Sequence, residues 1–111
     1  MSVSSEIEAE VLSWASTSSH PHRFGGVEFR FHTREIGHLH GNVLLDVPFP
    51  KRVHDELIAE GKAAPHHVLP GSGWISFRIH NEKEVADAIA LLRRSYEIAA
   101  NQKSRQGAKR A

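Results

Sequence analysis

The sequence contains no cysteine, which excludes disulfides, thiolate nucleophiles, iron–sulfur clusters and cysteine-ligated zinc. It has no apolar run approaching the roughly 20 residues of a membrane-spanning helix. The N-terminus also lacks the basic and then apolar pattern of a secretory signal. No G-x-S-x-G elbow and no phosphate-binding glycine loop is present. We therefore expect a cytoplasmic protein outside the common hydrolase and kinase classes.

The composition that remains is that of one globular domain. The chain has 111 residues, of which 40% are hydrophobic and 24% are charged, as in folded proteins with a single core. Its charge is unevenly spread: residues 93–111 hold six basic side chains and one acid, whereas residues 1–92 are net acidic. We predict a single domain over 1–101 and a flexible basic tail over 102–111, which has no large apolar residue.

Hydrophobic periodicity and turn residues predict an α+β fold. A helical pattern covers residues 4–17, and the Ser-, Thr- and Pro-rich stretch 16–22 is typical of a loop. Alternating apolar residues from Val27 to Phe49 predict a three-stranded antiparallel meander. The remaining predicted elements are a helix over 51–61, a strand over 74–79, and a helix from 81 to about 101. The order is α-β-β-β-α-β-β-α, an antiparallel meander sheet with a later Trp-containing strand or hairpin and helices packed on one face.

The turns of the meander determine which side chains share a face. Two-residue turns between the strands place Phe29 opposite His38, and His38 opposite Leu45. Because side chains alternate along a strand, this register predicts that His38 and His40 lie on the core side of the sheet.

Nine histidines are many for a chain of this length, and six of them occur as close pairs: His20 with His22, His38 with His40, and His66 with His67. An H-x-H spacing on a strand puts two imidazoles on one face. Two interpretations stay open: histidines satisfied by hydrogen bonds in the core, or a site in an apolar pocket. In the second, His38 or His40 is the general base, and the other one or His67 stabilises the anion that forms.

Further candidates lie around these histidines. His20, His22 and Arg23 belong to a segment that can fold over the sheet edge, and we predict that they contribute to ligand binding. We expect no cofactor and no metal, because no spacing here is diagnostic of a metal site. If a metal does bind, the predicted ligands are His38, His40 and one of His66 or His67.

Other polar side chains occupy the predicted solvent face. Asp46 falls beside Arg30, where we expect a solvated ion pair. Trp74 and Arg78 share one face of their strand and are candidate binding residues. Two interpretations of Trp74 stay open: a stacking platform, or a ring that packs under the loop 65–73.

Several phrases resemble a known family: 20–26 (HPHRFGG), 35–41 (EIGHLHG), 46–50 (DVPFP) and 65–78 (PHHVLPGSGWISFR). Together they resemble the small bacterial proteins that share a "luciferase domain" with the fungal luciferases, over about residues 20–96. The fungal enzymes oxidise a hydroxylated pyrone with molecular oxygen and use no known metal or flavin. They are longer and carry an apolar N-terminal segment that is missing here, so the resemblance implies a shared pocket rather than light emission.

The order of elements is also similar to that of the double-wing proteins of the MmcQ/YjbR type. The similarity includes the ending, a Trp-containing strand followed by a helix that carries Ser95 and Tyr96. This resemblance is one of layout, so it supports the architecture and carries no function.

Three functional hypotheses follow. The first is a domain with a histidine-lined pocket that binds a small molecule, with or without catalysis as a cofactor-independent oxygenase or proton-transfer enzyme. The second is a non-catalytic interaction module that uses Trp74 and the loop 65–73 to bind a protein partner or a second copy. A nucleic-acid binder is the least favoured, because the basic tail has no interleaved aromatic residues.

Overall fold

A computed structural model describes residues 2–110 of the chain; the side chains of Phe24 and of residues 105–110 lie outside this description. It consists of three helices and six strands, in the order α1 (Val3–Leu12), β1 (Thr17–His22), a short 3-10 turn (Arg23–Gly25), β2 (Gly26–Phe31), β3 (Arg34–His40), β4 (Leu44–Pro48), α2 (Lys51–Ala59), β5 (Ala64–Pro65), β6 (Trp74–Arg78) and α3 (Lys83–Arg110). The strands form one antiparallel sheet in the order β1-β2-β3-β4-β6-β5. The predicted α+β class is confirmed.

The segment 16–22, predicted to be a loop, contains an additional strand. β1 pairs with β2 along its whole length, from Thr17 opposite Phe31 to His22 opposite Gly26. The sequence pattern did not predict this strand, because Pro21 and the small polar residues around it are typical of loops. A proline is tolerated because β1 is an edge strand, where a missing N–H need not break a ladder hydrogen bond. The additional strand also shortens α1. This helix ends at Leu12 instead of 17, because the chain has to turn before β1 begins at Thr17.

The pairing register differs by one residue from the predicted register, so the prediction that His38 and His40 lie on the core side is wrong. Phe29 lies opposite Gly37, and His38 lies opposite Asp46. A bulge in the β2–β3 pair and a connection one residue longer than predicted between β3 and β4 cause the shift. Beyond the bulge, from Gly37 to His40, this shift turns the side chains of β3 to the other face. Leu39 therefore points into the core.

The core lies between the sheet and the helices. α3 packs on β2, β3 and β4, and α1 packs on α3 and β1. Leu57 of α2, Phe77 of β6 and Leu91 of α3 line one surface groove, which places α2 on the same side. Gly37 permits the close approach of α3, because a Cβ at this position would lie 2.5 Å from Leu92 Cδ2. The helices thus cover one face of the sheet. Within the described residues, the opposite face carries no helix.

α3 continues to Arg110, beyond the predicted end near 101. Gln, Lys, Arg and Ala favour helix without an apolar stripe, so the loss of the stripe did not mark the end of the helix. The predicted flexibility of the tail 102–111 concerns, in large part, side chains outside the described residues and stays a prediction. None of the described helices is both long and apolar enough to span a bilayer.

Candidate functional site

Asp46 lies near the middle of the sheet, on the face without helices. Its neighbours Leu45 and Val47 are buried in the core, so alternation along β4 turns Asp46 to the opposite side. The register places it between His38 of β3 and Ser76 of β6. The side chain of Asp46 is 0% exposed. A fully buried carboxylate needs compensating partners, and those partners define the site.

The predicted ion pair between Asp46 and Arg30 does not form, because the register shift separates them. Arg30 instead donates from Nε to Glu28 Oε2 at 2.6 Å. Burial opposes ionisation of Glu28, but the hydrogen bonds with Arg30 and His22 outweigh it and lower the pKa of this carboxyl.

Four imidazole groups converge on one oxygen of Asp46. The Nε2 atoms of His40 and His67 are hydrogen-bonded to Asp46 Oδ2 at 3.0 and 3.2 Å. The Nε2 atoms of His38 and His66 approach the same oxygen to 3.2 and 3.4 Å. The other oxygen, Oδ1, accepts a hydrogen bond from Ser76 Oγ at 2.7 Å. We call this group the Asp46 cluster; its members are Asp46, Ser76, His38, His40, His66 and His67.

His38 is held between two carboxylates. Its Nδ1 is hydrogen-bonded to Glu35 Oε2 at 2.6 Å, and its Nε2 faces Asp46. A lone pair on either nitrogen would face a negative oxygen, so both nitrogens carry protons. Burial disfavours the charged ring, but the hydrogen bonds with Asp46 and Glu35 outweigh it and raise the pKa of His38 to about 9. His38 is therefore a cationic donor near neutral pH.

The tautomer of His66 follows from its backbone contacts. The N–H groups of Val68 and Leu69 donate to its Nδ1 at 3.1 and 3.0 Å. Nδ1 is thus an acceptor, and the ring proton sits on Nε2, which faces Asp46. Burial lowers the pKa of His66, against the attraction of Asp46. His66 thus links the backbone of the loop that follows it to the buried carboxylate of Asp46.

His40 and His67 are the accessible members of the cluster. Their side chains are 30% and 40% exposed, whereas their partner Asp46 is fully buried. Burial opposes ionisation of Asp46, but hydrogen bonds from His38, Ser76 and His67 outweigh it and hold the pKa of this carboxyl well below its usual range. The site therefore presents two imidazoles to solvent, both anchored on a buried anion.

Two of the predicted binding residues, His22 and Trp74, lie against the cluster. The ring of His22 stacks on His38, and the ring of Trp74 lies 5.3 Å from that of His38 and 6.0 Å from that of His66, between ring centroids. Trp74 thus packs beside these two histidines, of which His66 belongs to the loop 65–73. Leu69 of the same loop is exposed.

Three predicted binding residues lie at the margin. His20 is hydrogen-bonded through Nε2 to Ser18 Oγ at 2.8 Å, and Arg23 is exposed in the 3-10 turn. Arg78 is exposed on β6, two residues beyond Ser76. Within the described part of the chain, none of the three is hydrogen-bonded to the Asp46 cluster.

Two open grooves lie near the cluster: one is lined by two of its members, and the other by His22, which stacks on His38. One, of about 540 Å³, is lined by residues that include His20 and His22. The other, of about 460 Å³, is lined by residues that include His67, Ser76 and Arg78. The ring of His40 lies near one histidine from each groove, with centroids 5.8 Å from His22 and 6.1 Å from His67.

The family model of the luciferase domain matches residues 33–95, more than half of the chain. The chain belongs to the luciferase-domain family. A search of curated proteins and a search of solved structures each gave no significant match. The matched segment of this luciferase-domain chain contains the whole Asp46 cluster together with Glu35 and Trp74, and it leaves out His22.

Sequence reasoning missed the residues that organise the site: Asp46, Glu35 and Ser76. One signal was present, since Asp46 is the single acidic residue between positions 36 and 54, within an otherwise apolar strand. Glu35 had no such signal. It reaches His38 because the bulge puts both residues on one face, where an unbroken strand would put them on opposite faces.

Proposed function

We propose that this luciferase-domain protein binds a small molecule with an acidic O–H or C–H group against His40 and His67 and removes its proton. One observation carries the proposal: the buried carboxylate of Asp46 is hydrogen-bonded to both imidazoles while each ring stays accessible. A structural hydrogen-bond network does not require that exposure.

The chemistry follows from the pairing of a carboxylate with an imidazole. A neutral imidazole that donates from Nε2 to a carboxylate keeps its Nδ1 lone pair as a base, and the carboxylate stabilises the imidazolium formed when it takes a proton. His40 is the better placed base, because it is hydrogen-bonded to Asp46 at the shorter distance, 3.0 Å. His38 is a positioning residue instead, since both of its nitrogens face carboxylates.

The surroundings favour a flat, conjugated molecule. The rings of His22 and Trp74 border the cluster, and aromatic faces bind planar ligands well. An enolisable lactone or a hydroxylated aromatic compound has both a planar ring and an acidic proton. The family resemblance implies oxidation of a hydroxylated pyrone by oxygen, and loss of that proton makes such a ring electron-rich.

Proton exchange tests this proposal. A hydroxylated pyrone in D₂O exchanges the ring C–H next to its hydroxyl, and proton NMR measures the rate with the protein as purified and after chelator dialysis. We expect the wild-type protein to accelerate this exchange in at least one of these two states. The exchange rate should fall by about 100-fold or more in His40→Asn. His80→Asn is the matched control, because His80 is an exposed histidine paired with Glu84, outside the cluster.

A second ligand separates binding from chemistry. The O-methyl ether of the same pyrone has no acidic hydroxyl and should exchange at the background rate. Rates at background in both protein states, or rates that His40→Asn leaves unchanged, would overturn the proposal.

A further inference from the structure

We propose that His40 Nε2, His67 Nε2 and Asp46 Oδ2 form a binding site for a divalent transition-metal ion. This inference deepens the proposed function by naming a cofactor for the same site, and its chemistry rests on that function, although the binding itself does not. It departs from the expectation of no metal and from the predicted ligand set, because Asp46 replaces His38.

The first argument counts hydrogen-bonding capacity. One carboxylate oxygen offers about two lone pairs, yet four Nε2 atoms lie within 3.4 Å of Asp46 Oδ2. The Nε2 protons of His38 and His66 are fixed by what their Nδ1 atoms contact. Two further N–H groups from His40 and His67 crowd that oxygen with four donors. A bound ion relieves this crowding, because it replaces the Nε2 protons of His40 and His67, and both nitrogens then offer lone pairs to an ion that Asp46 also binds.

The second argument is distance. Two ligand atoms that each lie about 2.1 Å from an ion are about 3.0 Å apart at a right angle and about 3.4 Å apart at a tetrahedral angle. Asp46 Oδ2 lies 3.0 Å from His40 Nε2 and 3.2 Å from His67 Nε2. One ligand atom from each of His40, Asp46 and His67 lies within 4.8 Å of the other two. The two distances from Asp46 Oδ2 thus already match coordination spacing.

The surroundings supply the outer shell of a metal site. Ser76 donates to Asp46 Oδ1, and His38, itself fixed by Glu35, faces Asp46 Oδ2. Such partners orient a ligating carboxylate. Glu35, His38 and Asp46 together carry one net negative charge, which a bound cation offsets.

A second group with suitable spacing, His22, His38 and His40, is the weaker candidate. His38 has no free lone pair, because each of its nitrogens faces a carboxylate. His22 directs its Nδ1 to Glu28 at 3.1 Å.

The ligand set indicates the class of ion. Two imidazoles and one carboxylate with open positions suit Zn²⁺ or Fe²⁺ rather than Mg²⁺ or Ca²⁺. The exposure of His40 and His67 leaves room for a water or a substrate hydroxyl on the ion. Zn²⁺ lowers the pKa of a bound water to about 7, and a substrate hydroxyl bound in its place would release its proton to solvent water, so the ion would take over from His40 in the proposed function.

Cobalt binding tests the site in the full chain. Co²⁺ is added to chelator-treated protein, and its visible absorption reports nitrogen and oxygen coordination. We expect one Co²⁺ per chain in the wild type and in His80→Asn, and affinity lower by about tenfold or more in His67→Asn and His40→Asn. Asp46→Asn should abolish the signal, but this variant also removes a buried charge. The decisive variant is therefore His67→Asn, because the ring of His67 is exposed and lies on a loop.

Absence of a Co²⁺ spectrum in the wild type, or equal affinity in His67→Asn and His80→Asn, would overturn the metal site. The outcome is independent of the proposed function. Pyrone exchange without Co²⁺ binding retains the function and rejects the ion, whereas Co²⁺ binding without exchange in the loaded protein retains the ion and rejects the function.

Discussion

The ring of His22 lies face to face on the ring of His38, with centroids 3.9 Å apart and planes 17° apart. His22 belongs to the edge strand β1, whereas His38 lies in the interior of the sheet. The stack therefore covers one side of the cationic ring with a flat aromatic surface and ties the edge strand to the Asp46 cluster.

Removing this stack should destabilise the protein modestly. We expect His22→Ala to lower the free energy of unfolding by about 1 kcal/mol, as for other aromatic pairs. His22→Phe keeps a ring over His38 and should recover most of the loss. Urea denaturation followed by circular dichroism measures both variants. Equal destabilisation by Ala and Phe would mean that the contact of His22 with Glu28, at 3.1 Å, matters and the stack does not.

Neutralising Asp46 should cost far more. Asp46→Asn leaves the cationic His38 next to a neutral amide in a buried place, and breaking a buried ion pair costs about 3–5 kcal/mol. Ser76→Ala removes one neutral hydrogen-bond donor to the same carboxylate and should cost about 1 kcal/mol. Urea midpoints of the two variants give the comparison. A midpoint for Asp46→Asn at or above that of Ser76→Ala would contradict the structural importance of this charge.

Gly73 should not tolerate a side chain. A Cβ at this position would overlap the backbone oxygen of Phe49, and the two residues are joined by a hydrogen bond from Phe49 N to Gly73 O at 3.1 Å. We expect Gly73→Ala to cost about 1–3 kcal/mol, because both partners are backbone and neither can rotate away. Gly71→Ala is the control, since a Cβ there meets nothing within 4 Å. Thermal unfolding should separate the two variants, and coincident curves would refute the steric argument.

The sequence predicted the elements of this fold better than their pairing. The three meander strands, the helix after Pro50 and the Trp74 strand appear because alternation and helical periodicity are local signals. Register is not local, since it depends on the length of each turn and on a bulge. These differ by one residue from the simplest choice, so His38 and His40 lie on the same face as Asp46 instead of the opposite one.

The candidate site was predicted in part for the same reason. The H-x-H spacing does put His38 and His40 on one face, and His67 does join them at Asp46. The error lay in which face they share. With Asp46 assigned to the solvent side, its hydrogen bonds to the histidines could not be inferred, and only the three-dimensional register brings them together.

Both outer strands of the sheet contain a proline, Pro21 in β1 and Pro65 in β5, and β5 is only two residues long. An outer strand normally offers a row of free N–H groups on which another chain can add a strand. The prolines interrupt that row at both ends of this sheet, so its edges resist strand addition and the ordered aggregation that begins in this way. If two copies of this chain associate, we expect them to meet through side chains and not through a continuous shared sheet.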